Sequence, residues 1–344
     1  MLFKLSDENR SLSDSWIREV KDVFTDHKYG IKTLHSRVDA IVDIVFIHGI
    51  TGHRDHTWTK GKSSESWPRL FLPYSIPEAR IVTFGYDAGV TGWRGISGNR
   101  LGDHSMNLLS ALAAYRAADE TDQRPIIFIA HSLGGLVVKD ALLTSRISPE
   151  AHLQQIVEST CGILFLGTPH LGSSLAAVAS KLAKLAGTTA RTNTKVLNVL
   201  RKDSEVLSRI QSDFYSLLRS QQSARQTPWD ITCCYEELPI NGIGEIVTKE
   251  SAILPGYPAI GIHQDHREMV RFATPHDPGY VSVVGELQRW VKKLQFPASR
   301  EGDNLLDKRD AEDGFGKVVI WGDVSRSVVV SGMQTIHGNI SFRR

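Results

Sequence analysis

Short apolar, β-branched runs that stop at small residues constrain this chain more than any other feature of its sequence. Ile44-Val45-Phe46-Ile47 ends at His48-Gly49, and Arg80-Ile81-Val82-Thr83-Phe84 ends at Gly85. Pro125-Ile126-Ile127-Phe128-Ile129 runs into Ala130-His131-Ser132, and Gly162-Ile163-Leu164-Phe165-Leu166 ends at Gly167-Thr168-Pro169-His170. Helix-like segments separate them. Strands apolar on both faces and alternating with helices predict a mostly parallel central sheet with helices on both faces, an α/β fold. Ligands of such folds sit beyond the carboxyl ends of the strands, so the residues after these runs are the place to look for chemistry.

The strongest chemical signal there is Ala130-His131-Ser132-Leu133-Gly134-Gly135, between an apolar strand and the apolar segment Leu136 to Leu143. It has the form of the nucleophile elbow G-x-S-x-G, with Ala130 in place of the first glycine. The strand-to-helix turn is sharp enough to demand small residues on either side of the serine, here Ala130 and Gly134, with Gly135 following. A strained serine backbone lifts the hydroxyl above the sheet, and the helix N-terminus sets a positive dipole beside developing negative charge. The partner signal is His48-Gly49-Ile50-Thr51-Gly52 after the first clear strand. In a fold with this elbow, that loop supplies one backbone N–H of an oxyanion hole and the residue after the nucleophile supplies the other. Ile50 (or Thr51) and Leu133 are the expected donors, and Gly49 lets the backbone come close. Each donor is worth roughly 3–4 kcal/mol in comparable sites.

A serine nucleophile on this fold is followed in the chain by an acid and then a histidine. Of the later histidines, His170 comes too early to follow an acid from a later strand; His276 and His337 lie further on. His263 and His266 follow the last apparent strand. His266 is favoured as base, with a helix expected over Arg267 to Phe272 to fix it. The acid must reach the base's Nδ1 to hold its tautomer. Glu236 and Glu237 end the strand Ile231 to Tyr235, Glu245 opens an expected strand Glu245-Ile246-Val247, and Glu250 lies beyond it. Glu236 leads because a strand end is rigid, with Glu237 and Glu245 left open as alternatives.

The remainder of the chain sets the organisation. The first 40 residues are polar, with one helical stretch from Asp14 to Phe24, and read as an N-terminal extension to one large α/β domain over 41–297. Between about 172 and 228 helical periodicity replaces strands. Leu175, Val178, Leu182 and Leu185 mark one face, and Val206, Leu207, Ile210, Phe214, Leu217 and Leu218 another, as in a helical cap. Lys181 and Lys184, flanking Leu182 and Leu185, would suit contact with a membrane surface, although a buried amphipathic helix accounts for the same pattern. An amphipathic helix from Val283 to Leu294 closes the domain. A charged, glycine-containing linker follows over 298–314, then a β-prone tail over 315–344.

Composition removes other classes. The 344 residues allow about two domains. Lys plus Arg number 40 against 38 Asp plus Glu, a net charge of +2, which lacks the basic field a nucleic-acid binder needs. Hydrophobic residues at 41% and charged residues at 23% exclude wholesale disorder. The three cysteines, Cys161, Cys233 and Cys234, allow neither a disulfide framework nor a CxxC-type zinc site. They are expected as strand residues, and no metal or organic cofactor is expected. Met1 to Phe3 is the only apolar run before Lys4, Asp7 and Glu8, so neither a secretory signal nor a membrane span is predicted, and the expectation is an intracellular, cytoplasmic chain.

The ordered blocks HGITGH, WPRLFLP, ARIVTFGYDA, AHSLGGLVVKDAL, GILFLGTPHLGSS, CYEELP, ESAILPG and DHREM resemble one family. The chain is similar, over about Val42 to Leu294, to lipase-like α/β-hydrolases of the serine-active-site-containing type found at the N-termini of fungal NLR-like proteins or beside them. The resemblance implies an esterase or lipase with Ser132 as nucleophile, His266 as base and Glu236 as acid, acting on an ester or lipid without a metal. A thioesterase or peptidase would use the same residues. The tail adds a second likeness. Val318, Val324, Val330, Ile336 and Phe342 recur every six residues, and Val330 to Thr335 and Ile336 to Ser341 form imperfect hexads. They resemble the C-terminal amyloid motifs by which some fungal hydrolase effectors pair with NLR receptors, so the resemblance implies self-association or receptor pairing through 315–344. A β-hairpin folded on the hydrolase satisfies the same alternation, and in a signalling module the hydrolase would be only a scaffold.

Overall fold

The computed structural model describes residues 28–49, 52–88, 98–170, 177–178, 180–181, 184, 208–221 and 228–296. The expected helix over Asp14 to Phe24, Ile50 and Thr51, most of the expected cap, the linker and the tail lie outside the described residues.

In chain order the elements are β1 (Gly30–His35), β2 (Val42–Ile47), the short helices α1 (Trp67–Leu70) and α2 (Leu72–Ser75), and β3 (Ala79–Gly85). Then come α3 (Gly98–Ala117), β4 (Ile126–His131), α4 (Gly134–Ile147), α5 (Ala151–Ser159) and β5 (Thr160–Leu166). Helix α6 covers 208–221. It is followed by β6 (Asp230–Glu236), α7 (Lys249–Ala252), β7 (Ala259–Ile262) and α8 (Pro278–Gln295). The strands make one seven-stranded sheet in the order β1-β3-β2-β4-β5-β6-β7. Among these described strands β1 alone runs antiparallel, against β3, and the other pairings within the sheet are parallel. This is the α/β-hydrolase sheet.

Side chains alternate across the sheet and build an apolar cluster on each face. Val45, Ile47, Phe128, Ala130, Ile163 and Phe165 join residues of α3, α4, α5 and α6 on one side. Ile44, Phe46, Ile127, Ile129, Leu164 and Leu166 meet Trp67, Leu72, Tyr280, Leu287 and Trp290 on the other. Each fully buried side chain of this size contributes about 1.5–3 kcal/mol. Helix α8 starts at Pro278 with Asp277 as its cap, the carboxylate accepting from the Gly279 N–H at 2.9 Å. Its Trp290 packs where a Cβ on Gly162 would be 2.8 Å from the indole.

An ionic cluster closes the opposite end of the sheet from the elbow. Asp43, second residue of β2, accepts from Arg80 at 2.8 and 2.7 Å, from Arg116 at 2.7 Å and from Arg124 at 3.2 Å. Asp43, Arg80 and Arg116 are buried. All three cysteines are free, Cys161 in β5 and Cys233 and Cys234 in β6.

Several elements differ from what the sequence predicts. Residues 30–35, within the stretch read as a polar extension, form the edge strand β1; an edge strand is half exposed and needs no apolar run. Glu245-Ile246-Val247 is not a strand. Ile246 and Val247 are buried in a loop, and the last strand is the short β7. The segment after His266 is a series of turns, with Glu268 and Met269 N–H groups bonded to the Asp265 carbonyl. Helix α6, within the expected cap, buries Ile210, Phe214, Leu217 and Leu218 in the cluster that also holds Phe165 and Trp229.

Candidate active site

Ser132 follows β4 with φ of 54°, a left-handed value that among the described non-glycine residues only Glu120 shares. Its N–H donates to the Leu166 carbonyl at 2.8 Å, which pins the turn to β5. The loop after β2 passes directly over this turn. A Cβ on Gly49 would stand 2.7 Å from the serine Cβ, and a Cβ on Gly134 would collide with the His48 carbonyl. Gly135 is as tightly placed, against the Thr168 side chain. Leu133 is buried at the start of α4.

His48 holds the crossing loop. Its Nδ1–H donates to the Gly49 carbonyl at 2.9 Å, and its Nε2 accepts from the Tyr86 N–H at 3.3 Å. The Tyr86 hydroxyl donates to the His48 carbonyl at 2.8 Å, and the two rings stack at 4.4 Å. Burial lowers the His48 pKa to about 4, so the ring is neutral and keeps the tautomer these bonds require.

The structure brings Ser132, His266 and Glu236 together. The serine hydroxyl donates to His266 Nε2 at 3.0 Å, and His266 Nδ1–H donates to Glu236 Oε2 at 2.6 Å. All three side chains are buried. The other carboxylate oxygen of Glu236 accepts from the N–H groups of Ile246 and, at 3.2 Å, of Val247. Those two amides are the part of the site that sequence reasoning missed: an apolar triplet suggested a strand, whereas its backbone serves a carboxylate. Gly167, with φ of 57°, lies flat against the base, where a Cβ would be 2.9 Å from His266 Cε1.

The alternative residues go elsewhere. Glu237 pairs with His263 Nδ1 at 3.2 Å on the exposed rim. Glu245 and Glu250 are exposed, as is His276. His170 is buried, with its Nδ1 accepting from Lys139 Nζ at 2.6 Å. Ile50 and Thr51, the expected oxyanion donors of the first loop, and His337 lie outside the described residues. Among the described residues no group of three or more His, Cys, Asp or Glu is placed to hold a metal ion, and no helix is long and apolar enough to cross a membrane.

Residues 42–203 match the family described as "Putative serine esterase (DUF676)". Over 197 residues the chain is 31% identical to Protein SERAC1 of Mus musculus, covering 52% of this chain and 28% of that protein. Against Protein SERAC1 of Bos taurus it is 27% identical over 236 residues, covering 64% and 35%. The chain therefore spans about a third of the length of these curated relatives. Among solved structures, a carboxylesterase of Nitrososphaera gargenis overlaps 76% of this chain and 95% of its own, at 12% identity and a TM-score of 0.45. The match to this family over residues 42–203 supports a hydrolase of the serine-esterase type.

Proposed function

We propose that this chain cleaves carboxylic esters, lipid esters foremost, by a Ser132-His266-Glu236 triad. The observation that carries the reading is the buried hydrogen-bond relay from the Ser132 hydroxyl through both nitrogens of His266 to Glu236, mounted on a left-handed elbow serine. Ser132 Oγ attacks the ester carbonyl carbon as its proton passes to His266 Nε2. Negative charge moves to the carbonyl oxygen, where the N–H groups of Leu133 and Ile50 receive it. Collapse of the tetrahedral species breaks the bond to the alcohol oxygen, which takes the proton from Nε2 and leaves an acyl-serine. Water then repeats the sequence: it gives a proton to Nε2, attacks the acyl carbon and releases the acid as the serine regains its proton. Glu236 keeps Nδ1 protonated throughout and stabilises the imidazolium formed in each half-reaction. No metal or organic cofactor enters any step.

Fluorophosphonate labelling and hydrolysis of short-chain p-nitrophenyl esters test the reading. Both are expected in the wild type and absent in Ser132→Ala; equal labelling of that variant refutes it. A panel of oxyesters, thioesters and peptides separates the esterase from a thioesterase or peptidase on the same residues.

A role in signalling is a separate proposal, favoured by the hexad spacing of the tail. In this reading the hydrolase is an intracellular effector in NLR-type cell death, and residues 315–344 pair with like segments of a receptor. Deletion of 315–344 and Ser132→Ala, each scored for cell death, separate tail-driven from catalytic action.

A further inference from the structure

His131 is the last residue of β4 and stands immediately before Ser132. Side chains alternate along this strand, and Ile127 and Ile129 enter the cluster that also holds Leu164, Leu166, Met269 and Val270. The same alternation turns His131 onto that apolar face, where the pattern calls for another aliphatic residue. The imidazole is buried there. A buried polar group without a partner costs roughly 1–3 kcal/mol. His131 finds its partner in the backbone of the candidate base, since its Nε2 lies 3.0 Å from the His266 carbonyl oxygen. A carbonyl only accepts, so His131 donates and Nε2 carries the proton. The two imidazoles lie 4.9 Å apart at 40°. Burial and the adjacent His266 ring hold the His131 pKa well below 6.5, which keeps it a neutral donor.

Nucleophile and base come from segments far apart in the chain. The hydrogen bond between Ser132 Oγ and His266 Nε2 cannot hold those segments in place, because its proton moves in each half-reaction. The bond from His131 to the His266 carbonyl involves no group that reacts, so it persists through the whole cycle.

We propose that His131 is a positioning residue, tying the backbone of the catalytic base to the residue beside the nucleophile and so fixing the distance between Oγ and Nε2. This rests on the reading of Ser132, His266 and Glu236 as a catalytic triad. The hydrogen bond of His131 goes to the His266 backbone and not to a group that exchanges a proton, so it acts through His266.

The test compares His131→Phe, which keeps a ring and loses the donor, with His131→Gln, which loses the ring and keeps an N–H of similar reach. Ester hydrolysis and the rate of fluorophosphonate labelling are measured for each, together with thermal unfolding. A base displaced by an ångström costs about 100-fold, so His131→Phe should lower kcat and the labelling rate by about 10- to 100-fold, with KM within about threefold of wild type. His131→Gln should recover most of that loss. If His131→Phe fails to unfold cooperatively, His131→Asn takes its place, because its amide is one methylene too short to reach the carbonyl. Wild-type rates in His131→Phe or His131→Asn overturn the proposal. So does an equal loss in the Gln variant, which would reduce His131 to ring packing. A wild-type protein with no Ser132-dependent labelling instead refutes the catalytic reading itself, and the positioning role falls with it.

Discussion

Lys139 offers a quantitative test of how the core beneath the candidate site handles charge. It lies on α4, fully buried, and its Nζ donates to His170 Nδ1 at 2.6 Å and Gln211 Oε1 at 2.5 Å. The faces of Phe165 and Phe214 stand 5.3 and 5.1 Å from the ammonium. Neither hydrogen-bond partner is a carboxylate, and burial lowers the lysine pKa from 10.5 to about 7. Between those two values the unfolded chain holds a proton that the folded chain releases, so stability rises with pH. The full interval corresponds to about 5 kcal/mol at 1.36 kcal/mol per pH unit. Between pH 7 and 9, with the native group already half deprotonated at the lower end, the gain is about 2 kcal/mol. Urea unfolding of wild type and Lys139→Met at pH 7, 8 and 9 reads this directly. The absolute difference at any one pH mixes in the acceptors left unpaired on His170 and Gln211, and the slope does not. Wild-type stability should climb by about 2 kcal/mol more than that of Lys139→Met across the window. Parallel curves would refute the account of Lys139 as a buried amine that gives up its proton for want of a carboxylate partner.

Three other perturbations probe the site and its support. Glu236→Gln keeps an oxygen for the Ile246 and Val247 amides but turns an NH2 toward His266 Nδ1, favouring the wrong tautomer; kcat should fall about 1,000-fold or more with little change in KM, and a loss under tenfold in steady-state kinetics argues against Glu236 as the acid. Gly49→Ala puts a methyl 2.7 Å from the Ser132 Cβ and should abolish fluorophosphonate labelling while the melting temperature moves by only a few degrees. Asp43→Asn removes the carboxylate shared by three arginines, leaving Arg80 with only the part-exposed Asp119 at 3.0 Å as counter-charge, and should cost about 3–5 kcal/mol in urea unfolding, with turnover per folded molecule unchanged.

How much of the molecule could be read from its sequence depended on whether structure and chemistry used the same residues. Strands β2 to β6 are buried on both faces, so their apolar runs stand out, and the elbow must be built from small residues because the loop after β2 leaves no room for a Cβ on Gly49 or Gly134. Edge strands β1 and β7 carry no such pressure: β1 mixes Lys32 and Thr33 with Ile31 and Leu34, and β7 is four residues long with Gly261 in its middle. The sequence favours Glu236 over Glu237 by its rigid place at the strand end and by the family resemblance, and leaves Glu237 open; successive side chains of an extended chain point to opposite faces. The structure turns one toward His266 and the other toward His263. The role of Ile246 and Val247 was hidden because it uses backbone N–H groups, which every residue but proline possesses.

Strand β2 carries two unlike tasks at its two ends. The Asp43 arginine cluster anchors one end, and about 17 Å along the extended chain His48 and Gly49 press on the elbow serine. Damage at the first end reduces the number of folded molecules, and damage at the second reduces what each folded molecule accomplishes. One strand therefore gives a protein engineer a built-in control: substitutions along it sort by yield or by specific activity, and a variant that loses both marks a strut that has slipped as a whole.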